Sequence, residues 1–190
     1  MTTEELFTKI YPVHDEKLRE ELIACTRIKH LKKNTLLNRQ DEMDSEICFL
    51  KSGIVGTYDI LTEGKNNYYC ICDRPGEVIV GGMGPNNMKS MVDVIMLTNV
   101  DLFSIRSDQM NHLQKTYPEI MVFYNKILVY EYFIQWEANR MLRMENAEDR
   151  YQWFVQKHPH AIGNINHKAI ASFLRMSPVT LSRVKKTCSH

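Results

Sequence analysis

The sequence predicts an α+β fold: an N-terminal antiparallel β jelly roll, then one long helix, then a small all-α module. Two changes of hydrophobic period, near residues 26 and 106, carry the first part of that reading. A split of charge carries the second. Residues 138–190 hold nine Lys/Arg and three acidic residues, a net +6, on a remainder of net −5. The boundaries that follow are 1–117, 118–145 and 146–190.

Residues 3–25 place Leu6, Phe7, Ile10, Leu18, Leu22 and Ile23 at helical spacing, which predicts one or two short helices broken at Tyr11-Pro12. From about Thr26 the pattern becomes short runs rich in Ile, Val, Tyr and Phe. They are punctuated by turn signals at Lys51-Ser-Gly53, Thr62-Glu-Gly64, Asp73-Arg-Pro-Gly76 and Gly81-Gly-Met-Gly-Pro85. Strands are expected at Ile47–Leu50, Ile54–Leu61, Asn67–Cys72, Val78–Val80, Ser90–Met96 and Asp101–Ile105. Many short strands at this spacing make a sandwich or jelly roll that can hold a small ligand in its mouth.

After Ser107 the period is helical again. A short helix is expected over Asp108–Lys115, and a long one from Pro118 to about Met144. Ile120, Ile127, Ile134 and Met141 fall seven apart on it, and Met121, Leu128, Tyr132 and Trp136 form a second apolar face. Such a helix has more apolar surface than one small barrel covers. The Ile120/Ile127/Ile134/Met141 stripe is therefore expected to meet the same helix of a second copy across a two-fold axis. Burial inside one chain is the competing expectation. Ala147–Lys157 reads as a further amphipathic helix, with Tyr151, Phe154 and Val155 inward. His158 and His160 flank Pro159 and are expected in a solvent-exposed loop.

The terminal stretch His167–Lys186 reads as two short helices joined at Arg175-Met-Ser-Pro178. Asn166 and Ser177 are good N-caps, and Pro178 stands where its missing N–H costs nothing. The second helix carries Val179, Thr180, Ser182, Arg183, Lys185 and Lys186 on its outer sides. That is the pattern of a helix-turn-helix whose second helix can lie in a DNA major groove. Any αα-hairpin with a Ser-Pro start shares the pattern, so the charge split matters: a basic terminal module on an acidic body suits a DNA contact.

Other chemistries find little support. There is no signal-like N-terminus and no membrane-length apolar run, and the five scattered cysteines read as reduced thiols. A cytoplasmic location without a membrane partner is therefore expected. A Walker A loop ending at Lys89-Ser90 would need glycines where Met83 and Met88 stand. A barrel enzyme would need grouped His ligands or a catalytic constellation, and none is legible. No catalytic residue and no metal site is expected. Cys70-Ile-Cys72 puts two thiols on one side of a strand, most simply as core.

The whole chain resembles the Crp/Fnr type of bacterial transcription regulator. The residues that carry the resemblance are Phe49-Leu-Lys-Ser-Gly53 and Arg74-Pro-Gly76 in the barrel, then Ala147-Glu-Asp-Arg-Tyr151, Ile170-Ala-Ser-Phe-Leu174 and Leu181-Ser-Arg183. The resemblance implies a cyclic-nucleotide-binding-like sensor domain, a dimerisation helix, a DNA-binding helix-turn-helix and a homodimer on double-stranded DNA, with RNA polymerase as a further partner. It places Arg183 at the family's base-contacting arginine. An arginine there can donate to both guanine O6 and N7. Val179 and Thr180 suit a thymine methyl, Ser177 and Ser182 offer hydroxyls, and Lys168, Lys185 and Lys186 suit phosphates.

Where the sequence departs from the family pattern, the expected function changes. The ligand-binding stretch of the barrel would include Gly81, Gly82, Met83, Lys89 and Ser90. Gly82 stands where cyclic-AMP-binding members have a ribose-contacting Glu, and Lys89 where they have a phosphate-contacting Arg. Cyclic AMP is therefore not expected as the effector, and no cofactor is. Arg175 replaces a Gly common in the inter-helix turn, so that turn is expected to be strained or differently shaped. Only four residues follow Lys186, so a β-wing after the recognition helix is not expected. The competing function, from another class, is a small-ligand or protein-binding jelly roll whose helical tail is a docking surface.

Overall fold

The computed structural model describes residues 1–43, 45–60, 66–79 and 89–188. Its strands are β1 (Arg27–Leu31), β2 (Leu36–Asn38), β3 (Glu46–Ser52), β4 (Val55–Ile60), β5 (Asn66–Cys72), β6 (Val78–Ile79), β7 (Asp93–Met96) and β8 (Val100–Arg106). They form two antiparallel four-stranded sheets, ordered β1-β8-β3-β6 and β2-β7-β4-β5. Alternation along each strand decides which face a residue serves. Cys48 and Leu50 of β3 enter the sandwich with Val55, Val94, Met96 and Leu102, whereas Phe49 between them faces out. The β3–β4 turn needs glycine: Gly53 has φ +92°, and a Cβ there would lie 2.3 Å from the Asn99 carbonyl oxygen.

The outer face of the first sheet is covered by the N-terminal segment and by the first half of the long helix. That segment holds α1 (Thr3–Glu5), which widens into a π-type turn over Leu6–Ile10, and α2 (Glu16–Cys25). The helices that follow the sheets are α3 (Ser107–Thr116) and α4 (Ile120–Leu142). Phe123 of α4 meets Phe7, Tyr11 and Phe49, with ring centroids 5.8–6.2 Å apart. Glu119 fixes the start of α4 against the N-terminal segment by accepting from the amides of His14 and Asp15 at 2.8 and 2.7 Å.

This packing corrects the expected dimer stripe. Ile120, Ile127 and Met141 are each 0% exposed within the single chain. Ile120 and Ile127 pack on the N-terminal helices, Met141 packs on the C-terminal module, and the half-buried Ile134 lines a narrow groove with Ile71, Trp153 and Phe173. Apolar spacing marks a face to be buried, but it does not say by which neighbour. The face of α4 that stays open is the other one: Met121, Leu128, Val129, Tyr132, Phe133 and Trp136, with Phe133 and Trp136 stacked at 6.1 Å.

The C-terminal module consists of α5 (Ala147–Lys157), α6 (His167–Phe173) and α7 (Pro178–Cys188). Its core of Tyr151, Phe154, Ile170, Phe173, Leu174, Leu181 and Val184 is continuous with Ile54, Tyr58, Tyr68, Ile71 and Leu97 of the second sheet. Barrel and module therefore share one apolar core. His158 belongs to this junction, which corrects the exposed-loop expectation. It is 6% exposed, packs on Trp153, Phe154 and Phe173, and its Nδ1 lies 3.0 Å from Asp73 Oδ1 in the barrel. Its partner lies 85 residues away, beyond the reach of any local pattern. His160 is exposed as expected.

Candidate nucleic-acid interface

The helix pair α6/α7 is built by caps and one apolar seam. Asn166 Oδ1 accepts from Ala169 N at 2.8 Å, and Ser177 Oγ accepts from Thr180 N at 3.0 Å. Each side chain satisfies an orphan amide of a helix start. Leu181 and Val184 bury the inner face of α7 against α5 and α6. The turn between the helices holds Arg175 at φ +52°, a left-handed conformation that costs a non-glycine residue roughly 1 kcal/mol. Its guanidinium donates to Asn67 of β5 and lies over the Tyr69 ring at 5.9 Å.

With Leu181 and Val184 turned inward, the opposite face of α7 is left to solvent. Val179 is 79% exposed, and Ser182, Arg183 and Lys186 are exposed beside it. Thr180 is half-buried, its hydroxyl 2.9 Å from that of Ser177. The Ser177 hydroxyl is thus engaged as a cap rather than held free. Lys185 is half-buried, with Nζ 2.9 Å from Nε2 of His167 at the start of α6. Lys168 is exposed one residue further on. The structure thus brings Val179, Ser182, Arg183 and Lys186 together on one face, with Lys168 and Lys185 near its rim.

Two residues that the sequence marked only through the family resemblance, with no role assigned, hold this face in place. Arg150 of α5 donates from Nη1 to the carbonyls of Met144 and Glu145 at 2.6 and 3.3 Å, and from Nε to that of Leu174 at 3.1 Å. One guanidinium thus ties the exit of α4 to the end of α6. Ser172 of α6 bonds the edge of β5 twice: its Oγ accepts from Tyr68 N at 3.1 Å and donates to the Asn66 carbonyl at 2.9 Å. An edge strand leaves such groups unpaired, and a helix hydroxyl meets them here.

Of the expected ligand-binding stretch, Gly81, Gly82 and Met83 lie outside the described residues. Lys89 is exposed, in a bridge with Met43. Ser90 is 1% exposed, and its hydroxyl donates to the Val92 carbonyl at 2.6 Å. That hydroxyl holds its own turn together. Nearer α4, the Asp73–Glu77 turn folds around a buried carboxylate. Glu77 accepts from the amides of Asp73 and Arg74 and from two nitrogens of the Arg74 guanidinium, at 2.7–3.0 Å. Burial, reinforced by this Glu77 charge, raises the Glu131 carboxyl of α4 to about 7.

Among the described residues, no group of three or more His, Cys, Asp or Glu is placed to hold a metal ion, and no helix is long and apolar enough to cross a membrane. No protein-family model and no curated protein sequence matches the chain. Solved structures do. FixK2 from Bradyrhizobium japonicum superposes with a TM-score of 0.76 at 13% identity, over 86% of this chain and 84% of that one. The c-di-GMP responsive global regulator CLP of Xanthomonas campestris gives 0.70 at 17% identity, over 92% of both chains. A putative Crp/Fnr-family transcriptional regulator from Eubacterium rectale gives 0.71 at 15% identity, over 92% of this chain and 83% of that one. The fold is that of the Crp/Fnr regulators: an antiparallel β sandwich, a long helix and a C-terminal helical module.

Proposed function

We propose that this chain, with its Crp/Fnr-type fold, is a homodimeric, sequence-specific DNA-binding transcription regulator. The observation that carries the reading is the outer face of α7, where Val179, Ser182, Arg183 and Lys186 stand exposed on a helix fixed from behind by Leu181 and Val184. A helix held from behind that presents an exposed arginine and a rim of lysines suits a major groove. Arg183 reads a guanine, Val179 and Thr180 touch thymine methyls, Ser182 adds a hydroxyl, and Lys168, Lys185 and Lys186 meet phosphates.

The second copy docks through the open face of α4. Met121, Leu128, Val129, Tyr132, Phe133 and Trp136 form an apolar strip along the helix, and the same helix of a second copy covers it symmetrically. The two recognition helices then enter successive major grooves of a pseudo-palindromic site, roughly 34–36 Å apart. If the barrel takes an effector, one other than cyclic AMP, that effector biases the dimer between DNA-competent and incompetent arrangements. RNA polymerase is the further partner, in the cytoplasm.

The test is selection from a fragmented genomic library, followed by a salt titration of the enriched site. An enriched pseudo-palindrome whose affinity falls steeply with salt is the expected result. Strong binding of a small ligand or a protein, with no retarded DNA at any salt concentration, would favour the jelly-roll docking module instead.

A further inference from the structure

Cys70 and Cys72 lie two residues apart on β5, an edge strand of the second sheet. Thr57 pairs with Cys70 and Tyr58 with Tyr68, so Tyr69 is the extra residue of a β-bulge. The bulge resets the alternation. Tyr68 before it and Ile71 after it both face the helical module, while Cys70 and Cys72 both turn into the sandwich. Their Sγ atoms lie 3.6 Å apart. Two strand residues at this spacing have Cα atoms roughly 6.5 Å apart, inside the range a disulfide spans.

The two thiols are not equivalent. Cys72 is buried, and Cys70 is partly open at the sheet edge. The hydrogen bond with Cys70, and after it burial, push the Cys72 thiol well above the ordinary cysteine range. Cys72 therefore holds its proton, and Cys70, partly open at the sheet edge, is the sulfur an oxidant reaches first.

We propose that Cys70 and Cys72 form an oxidisable dithiol that hydrogen peroxide closes to a disulfide, loosening the hold of β5 on α6. The Cys70 thiolate attacks the nearer peroxide oxygen, the O–O bond breaks, and the leaving hydroxide takes up a proton. Cys70 is then a sulfenic acid. The Cys72 sulfur attacks the Cys70 sulfur, the S–O bond breaks, and the departing hydroxide takes the Cys72 proton and leaves as water. Two thiols lose two electrons, and one peroxide becomes two waters.

Closure draws the sulfurs from 3.6 Å to about 2.05 Å, which puckers the strand between them. Just across the bulge, the same strand presents Asn66, Asn67 and Tyr68 to Ser172 and Arg175 of the helical module. A ring closed over a single intervening residue is strained, so it is readily reduced again, as a reversible switch must be.

The test uses the full chain, treated with hydrogen peroxide, quenched by alkylation and digested with trypsin. Trypsin spares the Arg74–Pro75 bond, so one peptide, Asn66–Lys89, holds both cysteines and no other. The expected product is that peptide lighter by about 2 Da, restored by dithiothreitol and absent in Cys70→Ser and Cys72→Ser. Amide exchange at Tyr68 should quicken about tenfold on oxidation, since its bond to Ser172 is lost. If Cys72→Ser does not fold, Cys70→Ser at the partly open position supplies the control. Oxygen adducts on single sulfurs, linkage to another cysteine, or two alkylated thiols after peroxide would overturn the proposal. So would a clean disulfide with unchanged Tyr68 exchange. The effect on transcription rests on the DNA-binding reading above. Peptide mass and amide exchange are measured without DNA, so either idea can fail alone.

Discussion

Arg183 and Lys186 share one exposed face of α7, yet they offer a base and a phosphate different things. A guanidinium fork matches two acceptors on guanine, whereas an ammonium is a point charge. Arg183→Ala should cost about 1–3 kcal/mol at one base position and relax selectivity there. Lys186→Ala should weaken every sequence alike and lower the salt slope by about one. Competition binding on single-base variants of the selected site separates the two, and identical behaviour would refute the assigned roles. His158 poses a different question. Its ring partners the Asp73 carboxylate, whose side chain is 0% exposed. His158→Ala leaves that carboxylate buried without the ring and should cost about 3 kcal/mol in urea unfolding. A loss below about 0.5 kcal/mol, ordinary for an exposed residue, would show that the junction does not depend on this pair.

At the scale of elements, helices announced themselves where a cap preceded an apolar stripe. Ala147–Lys157 has the bounds that its sequence pattern predicts, and Asn166 and Ser177 cap as their residue types suggest. Strands were legible wherever β-branched runs met a turn. The β7 strand starts at Asp93 rather than Ser90, because Ser90 is held in a turn by Glu42 and Asp41. The long helix α4 has two apolar faces, and spacing alone cannot rank them. One packs inside the chain, and the other remains open. A charge placed at the centre of the open face should therefore prevent dimer formation without unfolding the chain. Phe133→Lys is expected to give a monomer by light scattering with an unchanged circular dichroism spectrum, where the unaltered chain gives a dimer. A dimer that survives this substitution would place the two-fold interface elsewhere.

For the whole molecule, the junction of barrel, α4 and helical module gathers ionisable groups. Glu131 sits half-buried on α4 near Glu77, and its carboxyl is raised from an ordinary 4.5 to about 7. Between those values the folded chain holds a proton that the unfolded chain has released. The stabilisation is therefore complete below about pH 4.5 and lost as the pH rises through about 7. Glu131→Gln mimics the protonated form. It should flatten this dependence and stabilise the protein at pH 8 by on the order of 1–3 kcal/mol, as read from denaturation midpoints at pH 5 and pH 8. An unaltered pH dependence in this variant would assign the effect to another group. The shared core, from Tyr68 and Ile71 of β5 to Phe154 and Phe173 of the module, means that such changes reach the helix pair through packed side chains.

The sequence alone determined what depends on near neighbours. Period, caps, turns and charge segregation specify strands, helices and the exposed face of α7, because each acts within a few residues along the chain. Only the tertiary structure decided which apolar face of α4 is covered inside the chain. It also decided that His158 is buried on Asp73, that Arg150 ties α4 to α6, and that a bulge at Tyr69 sets Tyr68 and Ile71 on the same face, toward the helical module. In each case the partner is brought in by the packing of separate elements, and hydrophobic spacing records only that a residue is to be buried, not against what.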